Sequence, residues 1–129
     1  MDITTTNKSL KKFTAAQQND LIIDAIQDIK GKNILKLDLR KLTDSPTDFF
    51  IICEGDSTTQ VRAIAQNIQK RMRDEINIKP YHIEGFQGSR WVLVDFFTTV
   101  VHIFHPETRD FYNLERLWND AEITKYENI

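Results

Sequence analysis

Residues 48–60 read Asp-Phe-Phe-Ile-Ile-Cys-Glu-Gly-Asp-Ser-Thr-Thr-Gln, and this stretch decides the fold. Its first half, Asp48 to Glu54, is apolar and almost continuous, as expected for a central strand that is covered on both faces. A turn follows at Gly55-Asp56-Ser57, and Gln60 stands three residues after Ser57, as in a helix capping box. The stretch therefore predicts a buried strand that leads directly into a long helix.

Both flanks of this stretch show regular hydrophobic periodicity. The downstream helix carries one apolar stripe, made of Val61, Ile64, Ala65, Ile68 and Met72. Upstream, a helical repeat starts near Asp20 and runs to Ile29, and Gly31 stands where a C-terminal cap would sit. Residues 34–39 alternate apolar and polar side chains, which is typical of a half-buried strand. The first half therefore predicts helix, strand, loop, strand and helix.

The second half of the chain predicts three strands and a helix. The strands are Tyr81 to Gly85, Trp91 to Phe96 and Val100 to Phe104, and the last two are close enough to form an antiparallel hairpin. Large apolar residues then recur at helical spacing, at Phe111, Leu114, Leu117 and Trp118. These elements predict an α/β fold with a mixed sheet of about five strands and flanking helices.

Length and composition indicate one domain. The chain has 129 residues, of which 40% are hydrophobic and 28% charged, and this globular composition supports one core. Residues 1–16 lack a clear period, so we expect a mobile extension followed by a single domain over 17–129. The N-terminus shows no signal pattern and no apolar stretch approaches the roughly 20 residues of a membrane span, so we expect a cytoplasmic protein. The net charge of −2 favours a basic protein partner over naked nucleic acid.

Candidate catalytic groups are few. Two-metal transferases pair carboxylates across one intervening strand residue, and no predicted strand contains Asp-x-Asp or Glu-x-Glu. Ser57 and Ser89 lack the Gly-x-Ser-x-Gly pattern of a nucleophile elbow. Backbone N–H groups at Gly55-Asp56-Ser57 leave a nucleotide-binding enzyme as an alternative, although helix capping explains the same residues. We expect no catalysis and no cofactor.

Histidine and cysteine do not form a metal-ligand pattern. His102 and His105 are three residues apart at a strand, so their side chains should point to opposite faces. Cys53 lies inside an apolar run, which indicates a buried and inert thiol. We therefore expect no metal site.

Aromatic residues crowd the C-terminal third of the chain, at Trp91, Phe96, Phe97, Phe104, Tyr112 and Trp118. Core packing explains some of them. An exposed subset would mark a protein interface, because aromatic anchors inside a polar rim supply much of the binding energy there.

Five blocks together resemble the ribosomal silencing factor family, also called Iojap-like: residues 48–55, 60–65, 91–95 (Trp-Val-Leu-Val-Asp), 100–104 and 111–118 (Phe-Tyr-Asn-Leu-Glu-Arg-Leu-Trp). The resemblance runs from about Leu21 to Ala121. It implies a fold related to the nucleotidyltransferases without their catalytic carboxylates. It also implies a non-enzymatic repressor of translation that binds ribosomal protein fourteen of the large subunit, blocks subunit joining when nutrients are scarce, and tends to form homodimers. A nucleotide-binding enzyme and a generic dimeric scaffold are the alternatives.

The resemblance also implies where the partner binds. The matching residues on two strands and the following helix are Trp91, Asp95, His102, Phe104, Tyr112 and Glu115. Each has a structural alternative: for example, Trp91 would serve equally as core, and Asp95 as an acceptor within the hairpin.

The chain departs from the family at the turn between its last two predicted strands. Relatives commonly read Tyr-Gly-Asp where this chain reads Phe96-Phe97-Thr98-Thr99. A tight hairpin requires positive φ, which glycine accepts and phenylalanine resists, so we expect a rearranged or longer turn.

Overall fold

The structure is a computed structural model that describes residues 13–129, and one mixed sheet organises it. The helices are α1 (Ala15–Asp28), α2 (Thr58–Ile76), α3 (Pro106–Tyr112) and α4 (Leu114–Leu117). The strands are β1 (Lys32–Asp38), β2 (Phe49–Glu54), β3 (His82–Glu84), β4 (Trp91–Asp95), β5 (Thr99–Phe104) and β6 (Glu122–Tyr126). They lie in the order β3-β4-β5-β2-β1-β6, with β2 and β5 parallel and the other neighbours antiparallel. The predicted α/β mixed sheet is confirmed, with six described strands rather than about five.

The strand β2 lies inside the sheet between β5 and β1, as its apolar run predicts. Because side chains alternate along a strand, Ile51 and Cys53 face α1 and α2, whereas Phe50 and Ile52 face the other side. The sheet therefore has two apolar faces, one beneath the long helices and one that we call the open face. Strand residues of the open face include Leu37, Phe50, Ile52, Trp91, Leu93, Val100 and Phe104.

The helices α1 and α2 cover the first face and complete the main core. Their buried apolar side chains are Ile22, Ile23, Ala25 and Ile26 from α1, and Val61, Ile64, Ala65, Ile68 and Met72 from α2. The stripe that the sequence predicts for α2 is thus confirmed in full. Burial of each isoleucine side chain stabilises the fold by roughly 2 kcal/mol.

The predicted helix caps are present with two changes. The Ser57 hydroxyl accepts a hydrogen bond from the Gln60 N–H (3.1 Å), but the Gln60 side chain accepts from the Asp56 N–H (2.6 Å) rather than from Ser57. At the end of α1, Lys30 rather than Gly31 adopts the left-handed conformation, with φ +62°. A Cβ on Gly31 would overlap the Ile26 side chain, so glycine here permits close packing.

The turn between β4 and β5 has only two residues, so the expectation of a longer turn is wrong. The Phe96 N–H donates to the Thr99 carbonyl (2.9 Å), so only Phe97 and Thr98 lie between the paired residues. Phe97 adopts φ +78°, which costs a non-glycine residue about 1–3 kcal/mol. The Asp95 carboxylate supports this conformation, because it accepts a hydrogen bond of 2.7 Å from the Phe97 N–H.

Both ends of the described chain differ from the predicted element boundaries. α1 begins at Ala15, earlier than Asp20, and Thr14 is its N-cap. The proposed mobile extension, residues 1–16, lies mainly outside the described residues and stays a prediction, as does the domain 17–129. The predicted C-terminal helix is divided into α3 and α4 by Asn113, with φ +47°. After α4 the chain forms β6, a strand the sequence did not predict, which pairs with β1.

Candidate functional site

The short helices α3 and α4 cover only part of the open face. Trp118, at the end of α4, packs edge-on against Phe50 with ring centroids 5.9 Å apart, and Leu114 joins the same apolar cluster. Toward β4 the cover ends, and Trp91 and Leu93 remain half-buried. This end of the open face is the candidate site.

Trp91 is the centre of the site. Its ring centroid lies 4.9 Å from that of Phe104 and 4.8 Å from that of Tyr112. Interlocked rings of this kind gain about 0.5–1.5 kcal/mol per pair beyond their burial. We call the whole group the aromatic cluster; its members are Phe50, Trp91, His102, Phe104, Tyr112 and Trp118.

His102 lies beneath this cluster as a neutral hydrogen-bond acceptor. It is 4% exposed, and burial lowers its pKa to about 4. The indole N–H of Trp91 donates to its Nδ1 over 3.1 Å, which places the ring proton on Nε2. Phe50 meets the imidazole edge-on, with ring centroids 4.6 Å apart. His102 therefore orients Trp91 instead of presenting its own ring to a partner.

The structure brings the predicted partner-binding residues of β4 and β5 onto the open face but buries two of them. The antiparallel register places Trp91 opposite Phe104, and residues two apart along each strand share a face. Phe104 has no exposed surface and His102 almost none, so both support their neighbours. Trp91 and Asp95 are half-buried and accessible. Their role in binding stays a prediction.

Exposed apolar side chains extend the aromatic cluster along α3 and α4. Tyr112 is 52% exposed, and Phe111 and Leu117 are 80% and 71% exposed. Phe111 meets Tyr112 edge-on, with ring centroids 5.0 Å apart. Large apolar side chains in water beside a half-buried tryptophan are typical of a protein interface.

Arg109 is a buried cation that the sequence did not reveal. Its Nη1 donates to Glu54 (3.1 Å) and to the Asn33 carbonyl (2.7 Å), and its Nε donates to Glu115 (3.2 Å). These bonds fix α3 and α4 to the ends of β1 and β2, and they thereby position Tyr112. Glu115, a predicted partner contact, is thus an ion-pair partner of Arg109, with 25% of its side chain exposed. Asn33 and Glu54 are too distant from Arg109 in sequence for a local pattern to link them.

Several polar groups of the junction that left a nucleotide site open are bonded to the chain itself. The Asp56 N–H is bonded to the Gln60 side chain, and the Asp56 carboxylate pairs with Lys32 at 2.9 Å. The Gln60 amide also donates to the carbonyls of Ile29 and Lys30. Helix capping therefore accounts for the polar residues at this junction.

Other reactive side chains stay apart or inaccessible in the described part of the chain. Within residues 13–129, no three His, Cys, Asp or Glu side chains gather as metal ligands would. Cys53 is buried as predicted, and burial raises the pKa of its thiol to about 12. None of the described helices combines the length and apolar character needed to cross a bilayer.

An α/β sheet with exposed aromatic side chains beside one open face presents the kind of surface that proteins use to bind partners. Comparison with known proteins identifies the family. Residues 12–129 match the family model described as "Ribosomal silencing factor during starvation". The chain belongs to the ribosomal silencing factor family, as its five sequence blocks predict.

Individual relatives give the same result. The chain is 43% identical over 116 residues to Ribosomal silencing factor RsfS of Bacillus subtilis, which covers 90% of each protein. A crystal structure of a Chromobacterium violaceum protein has a TM-score of 0.78 at 39% identity, and the match covers 83% of this chain and 88% of that one. Mitochondrial assembly of ribosomal large subunit protein 1 of Mus musculus is 39% identical over 74 residues, 56% of this chain and 32% of the mouse protein.

Proposed function

We propose that this protein is a cytoplasmic, non-enzymatic factor that binds the large ribosomal subunit through ribosomal protein fourteen and sterically blocks association with the small subunit. It would thereby repress translation when nutrients are limiting. Membership of the ribosomal silencing factor family supports the ribosomal role. The mouse relative carries assembly of the ribosomal large subunit in its name, which supports the choice of subunit.

The observation that carries the proposal is the accessible edge of the aromatic cluster. Trp91 and Tyr112 pack on each other and keep surface in water, and Phe111 and Leu117 enlarge the apolar area. Interface energy is concentrated in such aromatic anchors when the surrounding residues exclude water. Asp95 lies beyond Trp91 on the same face and supplies a carboxylate for a basic partner.

Steric exclusion requires a rigid body and no chemical step. The sheet and the Arg109 ion pairs hold the aromatic cluster in one arrangement, so little conformational entropy is lost on binding. A bound protein of 15.1 kDa would cover surface that the small subunit needs. The degree of repression would then follow from concentrations and from the two competing affinities.

Two alternative functions predict different behaviour. A nucleotide-binding enzyme should be stabilised by nucleoside triphosphate with magnesium, because a ligand that binds only the folded state raises the melting temperature. A dimeric scaffold should form a dimer that ribosomal subunits do not change. The Asp56 N–H and carboxylate are already bonded to other residues of the chain, which favours the ribosomal factor over the nucleotide-binding enzyme.

Sedimentation through sucrose gradients tests the proposal. Purified protein is mixed with separated large or small ribosomal subunits, and each fraction is probed for it. We expect co-sedimentation with large subunits alone, together with a melting temperature that nucleoside triphosphate and magnesium leave unchanged. Absence of the protein from the large-subunit fractions would refute the proposal. A rise in melting temperature with nucleoside triphosphate and magnesium would support the alternative of a nucleotide-binding enzyme.

A further inference from the structure

A second surface feature lies at the tip of the β4–β5 hairpin, next to the open face. A cavity of about 420 Å³ opens between this tip and the loop that precedes β2. Its walls include two carboxylates, Asp48 and Asp95, and two aromatic rings, Tyr81 and Phe97. The volume falls in the range of small ligand sites, about 300–1,000 Å³.

Both aromatic rings of this tip pocket are exposed to water, and the backbone that carries one of them is strained. Tyr81 is 79% and Phe97 73% exposed, and their ring centroids lie 6.2 Å apart. The positive φ of Phe97 is strained, and burial of its own ring does not offset the strain. An exposed ring in a strained conformation points to a binding role.

Hydrogen bonds fix the walls of the tip pocket. The Thr47 hydroxyl donates to the Phe97 carbonyl (2.8 Å), and the Phe49 N–H donates to the Thr98 carbonyl (3.0 Å). On the other side, the Tyr81 N–H donates to the Asp95 carbonyl (2.7 Å). The pocket is therefore preorganised, which lowers the entropy cost of binding.

Within residues 13–129, the two carboxylates of the tip pocket have no ion-pair partner. Oδ1 of Asp95 accepts the Phe97 N–H, and its other oxygen has no hydrogen-bond donor among residues 13–129. In the same described range, neither Asp48 nor Asp95 forms an ion pair. Arg40 is near enough to be attracted by Asp48, but its ion pair is with Asp38 at 2.7 Å. Among side chains, arginine is the one best suited to bind carboxylates that lie beside accessible aromatic faces. Arginine stacks its planar guanidinium on a ring and donates to a carboxylate at the same time.

We propose that the tip pocket receives an arginine side chain from the protein that docks on the open face. This inference rests on the proposed function for its partner, because Asp95 and Val100 belong both to the pocket and to the open face. The arginine would lie against the exposed rings of Tyr81 and Phe97 and bind Asp48 and the second oxygen of Asp95. The pocket then adds a charge-specific contact to the apolar contact at Trp91.

The Phe97→Gly variant distinguishes a role of the Phe97 ring in binding from a role in stability. Glycine accepts positive φ without strain, so the melting temperature should not fall. Loss of the ring should nevertheless weaken binding to large subunits about tenfold, as expected for a desolvated cation–π contact. Asp48→Asn should weaken binding to a similar extent, whereas Glu127→Gln, an exposed acid near the C-terminus, should have no effect. Unchanged affinity in both pocket variants would overturn the proposal.

A peptide titration tests the pocket without the ribosome. Acetyl-Gly-Arg-Gly-amide is added to the isotope-labelled protein, and the citrulline analogue, which has the same shape without charge, is the control. We expect NMR shift changes at Tyr81, Phe97 and Thr98 with the arginine peptide alone. No change, or equal change with citrulline, would overturn the arginine site. If the wild type fails to bind large subunits, the proposed function is wrong, and this titration alone decides the pocket.

Discussion

The indole N–H of Trp91 donates a hydrogen bond of 3.1 Å to Nδ1 of His102, a histidine that is 4% exposed. The buried side chain of His102 thus sets the orientation of Trp91, which lies at the accessible end of the open face. Because His102 and Trp91 are in contact, a substitution of either residue should change the energetic contribution of the other.

Replacement of His102 should therefore alter Trp91. His102→Phe keeps a ring but leaves the indole N–H without its acceptor, which costs about 1–3 kcal/mol when the donor stays buried. His102→Asn provides an oxygen near the position of Nδ1. We expect the NMR signal of the Trp91 indole N–H to move strongly in the Phe variant and little in the Asn variant. The same large shift in both variants would show that the hydrogen bond does not hold the ring.

His102 should also make stability depend on pH. Burial lowers its pKa from the ordinary 6.5 to about 4, so between these values the unfolded chain binds more protons than the folded one. The free energy of unfolding should therefore be greatest above about pH 6.5 and fall toward pH 4, by at most about 3 kcal/mol. Urea unfolding at several pH values measures this dependence. His102→Asn should flatten it, and an identical pH profile in that variant would exclude His102 as the cause.

Arg109 should be required for stability. Arg109→Met would leave the carboxylates of Glu54 and Glu115, 14% and 25% exposed, without their cation. Breaking a buried ion pair by removing one partner costs about 3–5 kcal/mol, and the partial exposure of Glu115 favours the lower value. Arg116→Met, an exposed arginine of α4, is the matched control and should cost less than about 0.5 kcal/mol. Equal urea midpoints for the two variants would contradict the structural role of Arg109.

Cys53 should not react while the protein is folded. It has no exposed surface, and burial raises the pKa of its thiol to about 12, so the reactive thiolate is scarce at neutral pH. A chromogenic disulfide reagent should modify the native protein slowly and the urea-unfolded protein completely. Rapid stoichiometric modification of the native protein would show that the sheet opens at β2.

The sequence predicted the elements that have a strong hydrophobic pattern. The stripe of α2 follows from the period of 3.6 residues, and the continuous apolar run of β2 is typical of a strand covered on both faces. β6 escaped prediction because its residues are mostly exposed and its strand conformation depends on pairing with β1. The tight turn at Phe97 escaped for a similar reason, since Asp95 and the paired strands impose a conformation that the residue itself disfavours.

The candidate site was predictable in part. Alternation along β4 and β5 places Trp91 and Asp95 on one face, and both remain accessible. The burial of Phe104 and the pairing of Glu115 with Arg109 depend on where α3 and α4 pack. That packing depends on contacts with distant parts of the chain, such as the contact of Arg109 with Glu54, so a single sequence without its structure does not reveal it.

We propose that the accessible edge of the aromatic cluster binds the large subunit and thereby prevents subunit joining. Light scattering, which rises when large and small subunits associate, measures this most directly. Tyr112→Ala removes a half-exposed anchor, and Gln66→Ala, exposed on α2 across the sheet, is the control. We predict that wild type and Gln66→Ala suppress joining and that folded Tyr112→Ala requires about tenfold more protein, as hot-spot truncation does. Suppression by Tyr112→Ala at the wild-type concentration, or none by the wild type, would contradict the claim.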